Sequence, residues 1–162
     1  MTQLYRGLSE DPSAVTIVAE ADDRVVGFAA AVPSVRAFYR SFLFRRGIVA
    51  ALAAAPALAH GDVRARARET AAYPTTGRAL PGAELLAIAV EPEARAEGVG
   101  RALAAAALAG LAHHGVVECK VVVGADNEAA NRFYERIGFR PAAMIAIHEG
   151  SPSNVLVAPC RS

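Results

Sequence analysis

The stretch Arg95-Ala96-Glu97-Gly98-Val99-Gly100-Arg101 lies between an apolar run, Glu84 to Val90, and an alanine-rich run that continues to His114. It leaves this part of the chain little choice of fold. A strand that ends at Val90, turns through Glu91-Pro92 and enters a helix at a glycine-rich bend aims free backbone N–H groups and the positive end of the helix dipole at one spot. A pyrophosphate fits such a spot. Gly98 and Gly100 matter because a side chain at either place would hold the backbone away from an anion or forbid the dihedrals of the bend. Arg95 and Arg101 can add charge-assisted bonds.

Several kinds of nucleotide or cofactor binder share this pattern, and two are excluded by the residues themselves. A P-loop needs Gly-x-x-x-x-Gly-Lys followed by Ser or Thr, a string the chain lacks. A dinucleotide-binding turn needs a third glycine where Leu103 stands. A second motif lies downstream, Asn127-Glu-Ala-Ala130-Asn-Arg-Phe133-Tyr134-Glu135-Arg136-Ile-Gly138-Phe139. Taken in order and separated by a helix and a strand, the two motifs resemble those of the GNAT superfamily of acetyl-CoA-dependent N-acetyltransferases. The first matches its Arg/Gln-x-x-Gly-x-Gly/Ala signature, the second its Asn-x-x-Ala-x-x-Phe-Tyr-Glu-Arg-x-Gly-Phe signature. The resemblance is strong from Glu84 to Phe139 and weaker outside.

Composition bounds the rest. At 162 residues and 54% hydrophobic content the chain reads as a single domain spanning residues 1–162, with a core that needs no staples. A net charge of +1 gives no global attraction for nucleic acid or anionic membrane, so no nucleic-acid partner is expected. Cys119 and Cys160 make neither a disulfide framework nor a metal site, and no metal is expected. Met1 to Pro12 is polar and lacks a signal-like apolar core, so the expected location is the cytoplasm. The most apolar segment, Gly47 to His60, is interrupted by Pro56 and is shorter than the ~20 residues a membrane span requires.

Val15 to Ala19 and Arg24 to Val32 read as strands joined by a hairpin through Glu20-Ala-Asp22-Asp23. In the family's numbering they are the second and third strands. Only Thr2 to Ser13 precedes them, where the family usually has a strand and two helices. A helical insertion at about 36–82 follows, with helical stretches near Ala37 to Ala59 and Asp62 to Ala72. Its first half is basic and aromatic, with Phe38, Tyr39, Phe42 and Arg45. It reads as a wall or lid of the acceptor site, as a packing or homodimer surface, or as an amphipathic membrane contact. Glu84 to Val90 is the fourth strand, Val99 to His114 a helix, Val116 to Val123 the fifth strand, Asn127 to Ile137 a helix, and Ala142 to His148 and Asn154 to Cys160 a final hairpin. The fold class is α/β (α+β): a mixed, mostly antiparallel sheet with helices on both faces.

The resemblance implies a cofactor, acetyl-CoA, lying where the fourth and fifth strands splay apart. Backbone groups of Ile88, Ala89 and Val90 would pair with the pantetheine arm as though it were an added strand. Residues Arg95, Ala96, Glu97, Gly98, Val99, Gly100 and Arg101 would hold the pyrophosphate. Asn127, Ala130 and Tyr134 share one helix face, with small Ala130 leaving room for the cofactor. Family precedent makes Tyr134 the general acid for the leaving thiolate; the other reading is a core aromatic beside Phe133. Glu84 lies eleven positions before Arg95, the offset at which the histone-acetylating members of the family carry a glutamate, and the resemblance implies it as candidate general base; the other reading is a solvated strand-end residue. Glu91 reads as a turn residue, His113 and His114 as helix-end residues, and Cys119 as core. The implied activity is acetyl transfer to a primary amine of a small molecule or peptide. The alternative is a non-catalytic module of the same fold that binds CoA or a partner for regulation.

Overall fold

The computed structural model describes residues 12–40, 80–148 and 151–161. The chain divides into two compact units, residues 1–35 with 80–162, and residues 36–79. Of the second unit only residues 36–40 are described; they are helical, and the rings of Phe38 and Tyr39 meet edge to face at 5.6 Å. Phe42, Arg45, the apolar run 50–58 and the helical stretch expected over 62–72 lie outside the described residues.

The first unit is built on a six-stranded sheet of β1 (Val15–Ala21), β2 (Arg24–Val32), β3 (Ala83–Val90), β4 (Glu118–Gly124), β5 (Arg140–His148) and β6 (Ser151–Pro159), in the order β1-β2-β3-β4-β6-β5. Two helices, α1 (Val99–His113) and α2 (Glu128–Arg136), connect β3 to β4 and β4 to β5. The first hairpin closes where the aspartates suggest. Asp22 and Asp23 take φ of 49° and 59°. That is the left-handed pair a two-residue turn needs to match the strand twist, and aspartate tolerates it better than most side chains.

β5 starts at Arg140 rather than Ala142, so Pro141 belongs to the strand. The proline is tolerated because β5 is an edge strand and the register slips between Pro141 and Ala143. The connection from β5 to β6 falls at residues 149–150, outside those described, and β6 resumes at Ser151 instead of Asn154.

Two features of β3 shape the site. Against β2, Ala30 pairs with Ala87 but Ala31 with Leu85, which leaves Leu86 as an extra residue. Such a bulge reverses the face that later residues present. Ala83 and Leu85 before it, and Ile88 and Val90 after it, accordingly all meet the same core cluster. Against β4, β3 pairs in parallel only at Ala83 with Cys119 and Glu84 with Lys120. Beyond that rung the strands part. This opening between β3 and β4 is the splay expected between the fourth and fifth strands.

β3, β4 and β5 run parallel, and the two helical crossovers between them progress in the same direction across the sheet. Right-handed crossovers of that kind place both helices on one face. Leu103, Ala107 and Leu111 of α1 and Tyr134 of α2 therefore share a core with Ala29, Ala31, Cys119, Val121, Phe139 and Leu156. The alternate residues Ala30, Val32, Glu84, Lys120 and Val155 are buried on the opposite face. Helices were expected on both faces; α1 and α2 cover one, and for the other the expectation rests on residues outside those described.

α1 lies close to β1 because Gly110 has no side chain: a Cβ there would stand 2.6 Å from Val15 Cγ1. Valine is stiff about χ1 and its methyl has no easy retreat. Gly110→Ala should therefore destabilise the fold even though alanine is the better helix former by about 1 kcal/mol, because overpacking costs about 1–3 kcal/mol. Thermal unfolding of the variant should fall by roughly 2–6 °C. A melting temperature equal to or above the parent's would place α1 farther from β1.

Candidate active site

After β3 the chain makes a 3-10 turn over Pro92–Glu97, and Gly98, with φ 79°, ends that turn and begins α1. The first helical bond is from Ala102 N–H to Gly98 O at 3.1 Å. The N–H groups of Val99, Gly100 and Arg101 thus lie ahead of any intrahelical acceptor, and the N-cap residue Gly98 has no side chain to cap them. A Cβ at Gly98 would meet nothing within 4 Å, so the space in front of the turn is open. Gly100 has a different constraint: its Cβ would stand 3.3 Å from the Phe133 ring, so its smallness lets α2 approach α1. Arg101 and Glu97 are exposed, Val99 packs partly on the core, and Ala96 is within the 3-10 turn. The Arg95 side chain is exposed and bends back, its Nε donating to Val90 O at 3.1 Å.

The direction of the backbone groups along β3 follows from one bond. Glu91 N–H donates to Val26 O at 2.8 Å, so Glu91 faces β2. Antiparallel ladder groups alternate in direction, which turns Ala89 toward β2 and Ile88 and Val90 away from it, into the opening beside β4. Of the three residues expected to line the splay, Ile88 and Val90 point their backbone groups into it and Ala89 does not. Glu91 itself is a turn residue whose exposed carboxylate lies 3.7 Å from Arg24.

On the other side of the opening, Asn127 caps α2, its Oδ1 accepting from Ala130 N–H at 3.1 Å. Its Nδ2 donors remain to reach a ligand. Ala130 is half-buried against the core. Asn131, which the sequence did not single out, fixes the start of α2: its Nδ2 donates to Gly124 O at 2.9 Å and Asn127 O at 2.8 Å, while its Oδ1 accepts from Asn154 Nδ2 at 3.1 Å. Tyr134 is the buried residue of α2, its ring at 5.2 Å from that of Phe133 and 5.4 Å from that of Phe139 in edge-to-face contacts. Burial and the neighbouring Cys119 push its phenol up to about 12. The hydroxyl is therefore held in its neutral, donating form.

Glu84 is not a solvated strand end. Its side chain is 11% exposed, and that of Lys120 is 8% exposed. Lys120 Nζ stands 3.3 Å from Glu84 Oε2 and donates to Pro81 O at 2.7 Å. At 3.3 Å the contact is an ion pair rather than an aligned hydrogen bond, and Glu84 Oε2 is the buried side-chain atom left without a hydrogen bond among the described residues. Burial raises the Glu84 carboxyl above its usual range, and the Lys120 charge opposes that rise. Lys120 was legible only as a lone lysine in the apolar strand Val116 to Val123.

Glu84 and Lys120 face away from the helices, whereas Cys119, their neighbour in the ladder, faces Tyr134. The opening that begins one residue past Glu84 therefore has a carboxylate–ammonium pair on one side of the sheet and a phenol on the other. Cys119 is a free, fully buried thiol, and its hydrogen bond with the Cys160 thiol and its burial hold it protonated, which suits a core residue and not a nucleophile. His113 ends α1 and His114 caps it, as their positions suggested.

A family model described as "Acetyltransferase (GNAT) family" matches residues 1–139. Mycothiol acetyltransferase from Kocuria rhizophila is 41% identical over 70 residues, which is 43% of this chain and 23% of that protein. The chain thus matches about a quarter of the length of that relative. Among solved structures, nourseothricin acetyltransferase is similar with a TM-score of 0.59 at 23% identity, covering 93% of this chain and 68% of that one. PaiA N-acetyltransferase from Thermoplasma acidophilum, solved in complex with coenzyme A, has a TM-score of 0.55 at 17% identity, covering 98% and 67% of the two chains. These likenesses show the same fold. Among the described residues, no helix is long and apolar enough to cross a membrane.

Proposed function

Because the chain belongs to the GNAT acetyltransferase family, we propose that it transfers the acetyl group of acetyl-CoA to a primary amine by direct attack in a ternary complex. The observation that carries this reading is the opening of the sheet one residue past Glu84, flanked by the Glu84–Lys120 pair and by Tyr134 and headed by the uncapped start of α1. The residues fit the cosubstrate. The N–H groups of Val99, Gly100 and Arg101 would bind the pyrophosphate, with open space in front of Gly98 to receive it. Ile88 and Val90 would pair with the pantetheine amides, occupying the edge that β4 leaves vacant. Asn127 Nδ2 and the small face of Ala130 would border the same arm.

Acetyl-CoA supplies an activated acyl group, and this chain's residues would manage the protons. Glu84 takes a proton from the incoming ammonium, directly or through water, so that a neutral amine attacks. Backbone N–H groups of β3 beside the opening stabilise the oxyanion. Tyr134 donates to the leaving sulfur, and the second proton that the nitrogen loses as the amide forms closes the balance by replacing the one passed to the thiolate. A phenol near 12 lies well above a thiol, whose ordinary value is about 8.5, so complete transfer to a free thiolate is uphill by several kcal/mol. Tyr134 acts best as a general acid whose hydrogen bond strengthens as charge builds on sulfur, and it stays protonated throughout the physiological range. The relative's name, mycothiol acetyltransferase, favours a small-molecule acceptor over a polypeptide.

A panel of glucosamine, lysine, spermidine and an alanyl dipeptide, assayed for thiol release and for N-acetylated product, tests the reading. Equal yields of thiol and amide from at least one amine are expected. Binding of acetyl-CoA without turnover of any primary amine would favour the non-catalytic module instead. Glu84→Gln should keep acetyl-CoA affinity and lower turnover about 10-fold to 100-fold, the low end for acid–base catalysis because water can take the proton. The sign of its pH dependence follows from the raised Glu84 carboxyl. The deficit should be greatest above the Glu84 titration and below that of the amine; at lower pH the parent also loses its base and the two rates converge. A profile parallel to the parent's at every pH would remove Glu84 as the base.

A further inference from the structure

Lys120 is costly where it stands. An ammonium is almost never fully buried unless it is paired, and even a paired one loses several kcal/mol of hydration. Packing alone would be served by an apolar residue, as at Val122 on the same face of β4. Its ammonium instead joins two points of the vertex. The 2.7 Å bond to Pro81 O anchors it to the segment leading into β3, and the 3.3 Å contact brings its charge to the Glu84 carboxylate. Lys120 is the register partner of Glu84 on the last rung before β3 and β4 separate, so both side chains share a face at the place where the opening begins.

We propose that Lys120 is a positioning residue for the base, its ammonium fixing the Glu84 carboxylate at the vertex and keeping it anionic while the amine arrives. The inference rests on the reading of Glu84 as that base. Burial by itself raises the carboxyl and disfavours the anion that could accept a proton. Lys120 opposes that preference without using up the carboxylate, because its contact is to the buried Oε2 and leaves Oε1 as the oxygen to accept from the acceptor's ammonium or a water. The neighbouring titratable group on the paired strand is Cys119, which lies on the opposite face of the sheet and whose thiol is held protonated and adds no charge. Among the described residues, Lys120 is the cation in ion-pair contact with Glu84.

The test compares Lys120→Gln and Lys120→Met with the parent, using Glu84→Gln as the control. Two readouts are followed: the carbon-13 titration of the Glu84 carboxyl, assigned by its loss in Glu84→Gln, and the pH dependence of kcat with the panel amine that is turned over fastest. An opposite charge at this distance lowers a carboxyl by about one to three pH units. Its removal should move both the carboxyl titration and the acidic limb of kcat to higher pH by about that amount, with acetyl-CoA affinity unchanged. A purely structural lysine would lower rate or stability without moving either. Unmoved titration and limb in folded variants would overturn the proposal. If Glu84→Gln leaves the profile intact, Glu84 is not the base, and the carboxyl titration, which needs no turnover, still decides whether Lys120 holds it anionic. Should neither lysine variant fold, the parent decides: a Glu84 carboxyl that is ionised at pH 7 supports the proposal, and one still protonated there overturns it.

Discussion

Gly98→Val should weaken acetyl-CoA binding by about 100-fold or more while leaving the protein folded. Two effects act together at this position. Gly98 has φ 79°, and a β-branched side chain in that region costs roughly 1–2 kcal/mol, which the chain relieves most easily by turning the N–H groups of α1 away from their common focus. The new side chain also occupies the space in front of the turn, where a Cβ now meets nothing within 4 Å. A hydrogen bond to a charged group contributes about 1.5–3 kcal/mol, so losing one or two of those to a pyrophosphate accounts for the predicted loss. Because no core atom lies near the new Cβ, circular dichroism should match that of the parent, and thermal unfolding should fall by no more than the roughly 2–8 °C that this backbone strain costs. Calorimetric titration with acetyl-CoA measures the effect. Affinity within a few-fold of the parent's would move the pyrophosphate away from this turn.

Tyr134→Phe should lower kcat by about 100-fold to 10,000-fold, the range found for a positioned general acid, and change the Kd for acetyl-CoA by no more than a few-fold. The substitution removes one oxygen. The ring keeps its edge-to-face contacts with Phe133 at 5.2 Å and Phe139 at 5.4 Å, so the helix should hold its place. A loss of kcat with binding intact marks an interaction made chiefly in the transition state. Steady-state kinetics on the panel amines, with the dissociation constant measured separately, checks both halves. Unchanged turnover would assign the proton on sulfur to water and leave Tyr134 as a core aromatic.

The local features of this fold were written in local sequence. Asp22-Asp23 closes a hairpin because aspartate accepts left-handed backbone, and the run from Val90 through Gly98 becomes strand, turn and helix because glycine ends one element and begins the next. Features that depend on pairing were not legible. The bulge at Leu86 arises from the register between β2 and β3, and nothing in Glu84 to Val90 marks it. It determines which faces Ile88 and Val90 present, and the bond from Glu91 N–H to Val26 O determines that Ala89 is turned toward β2. Glu84 and Lys120 meet because β3 and β4 are parallel and in register, and a sequence shows neither condition. Gly100 could be read as making room for an anion, but its near neighbour is Phe133, a contact between two helices. Asn131 drew no attention inside its motif, yet it ties α2 to β4 and β6.

The central claim is that the opening between β3 and β4 receives the thioester, with its pyrophosphate at the start of α1. A crystal structure of the complex with acetyl-CoA tests it most directly. The account predicts pyrophosphate oxygens at about 2.7–3.2 Å from the N–H groups of Val99, Gly100 or Arg101, pantetheine amides paired with Ile88 and Val90, and the sulfur within hydrogen-bond reach of the Tyr134 hydroxyl. A pantetheine arm lying outside the opening, or a sulfur beyond the reach of Tyr134 with the pyrophosphate away from α1, would contradict it.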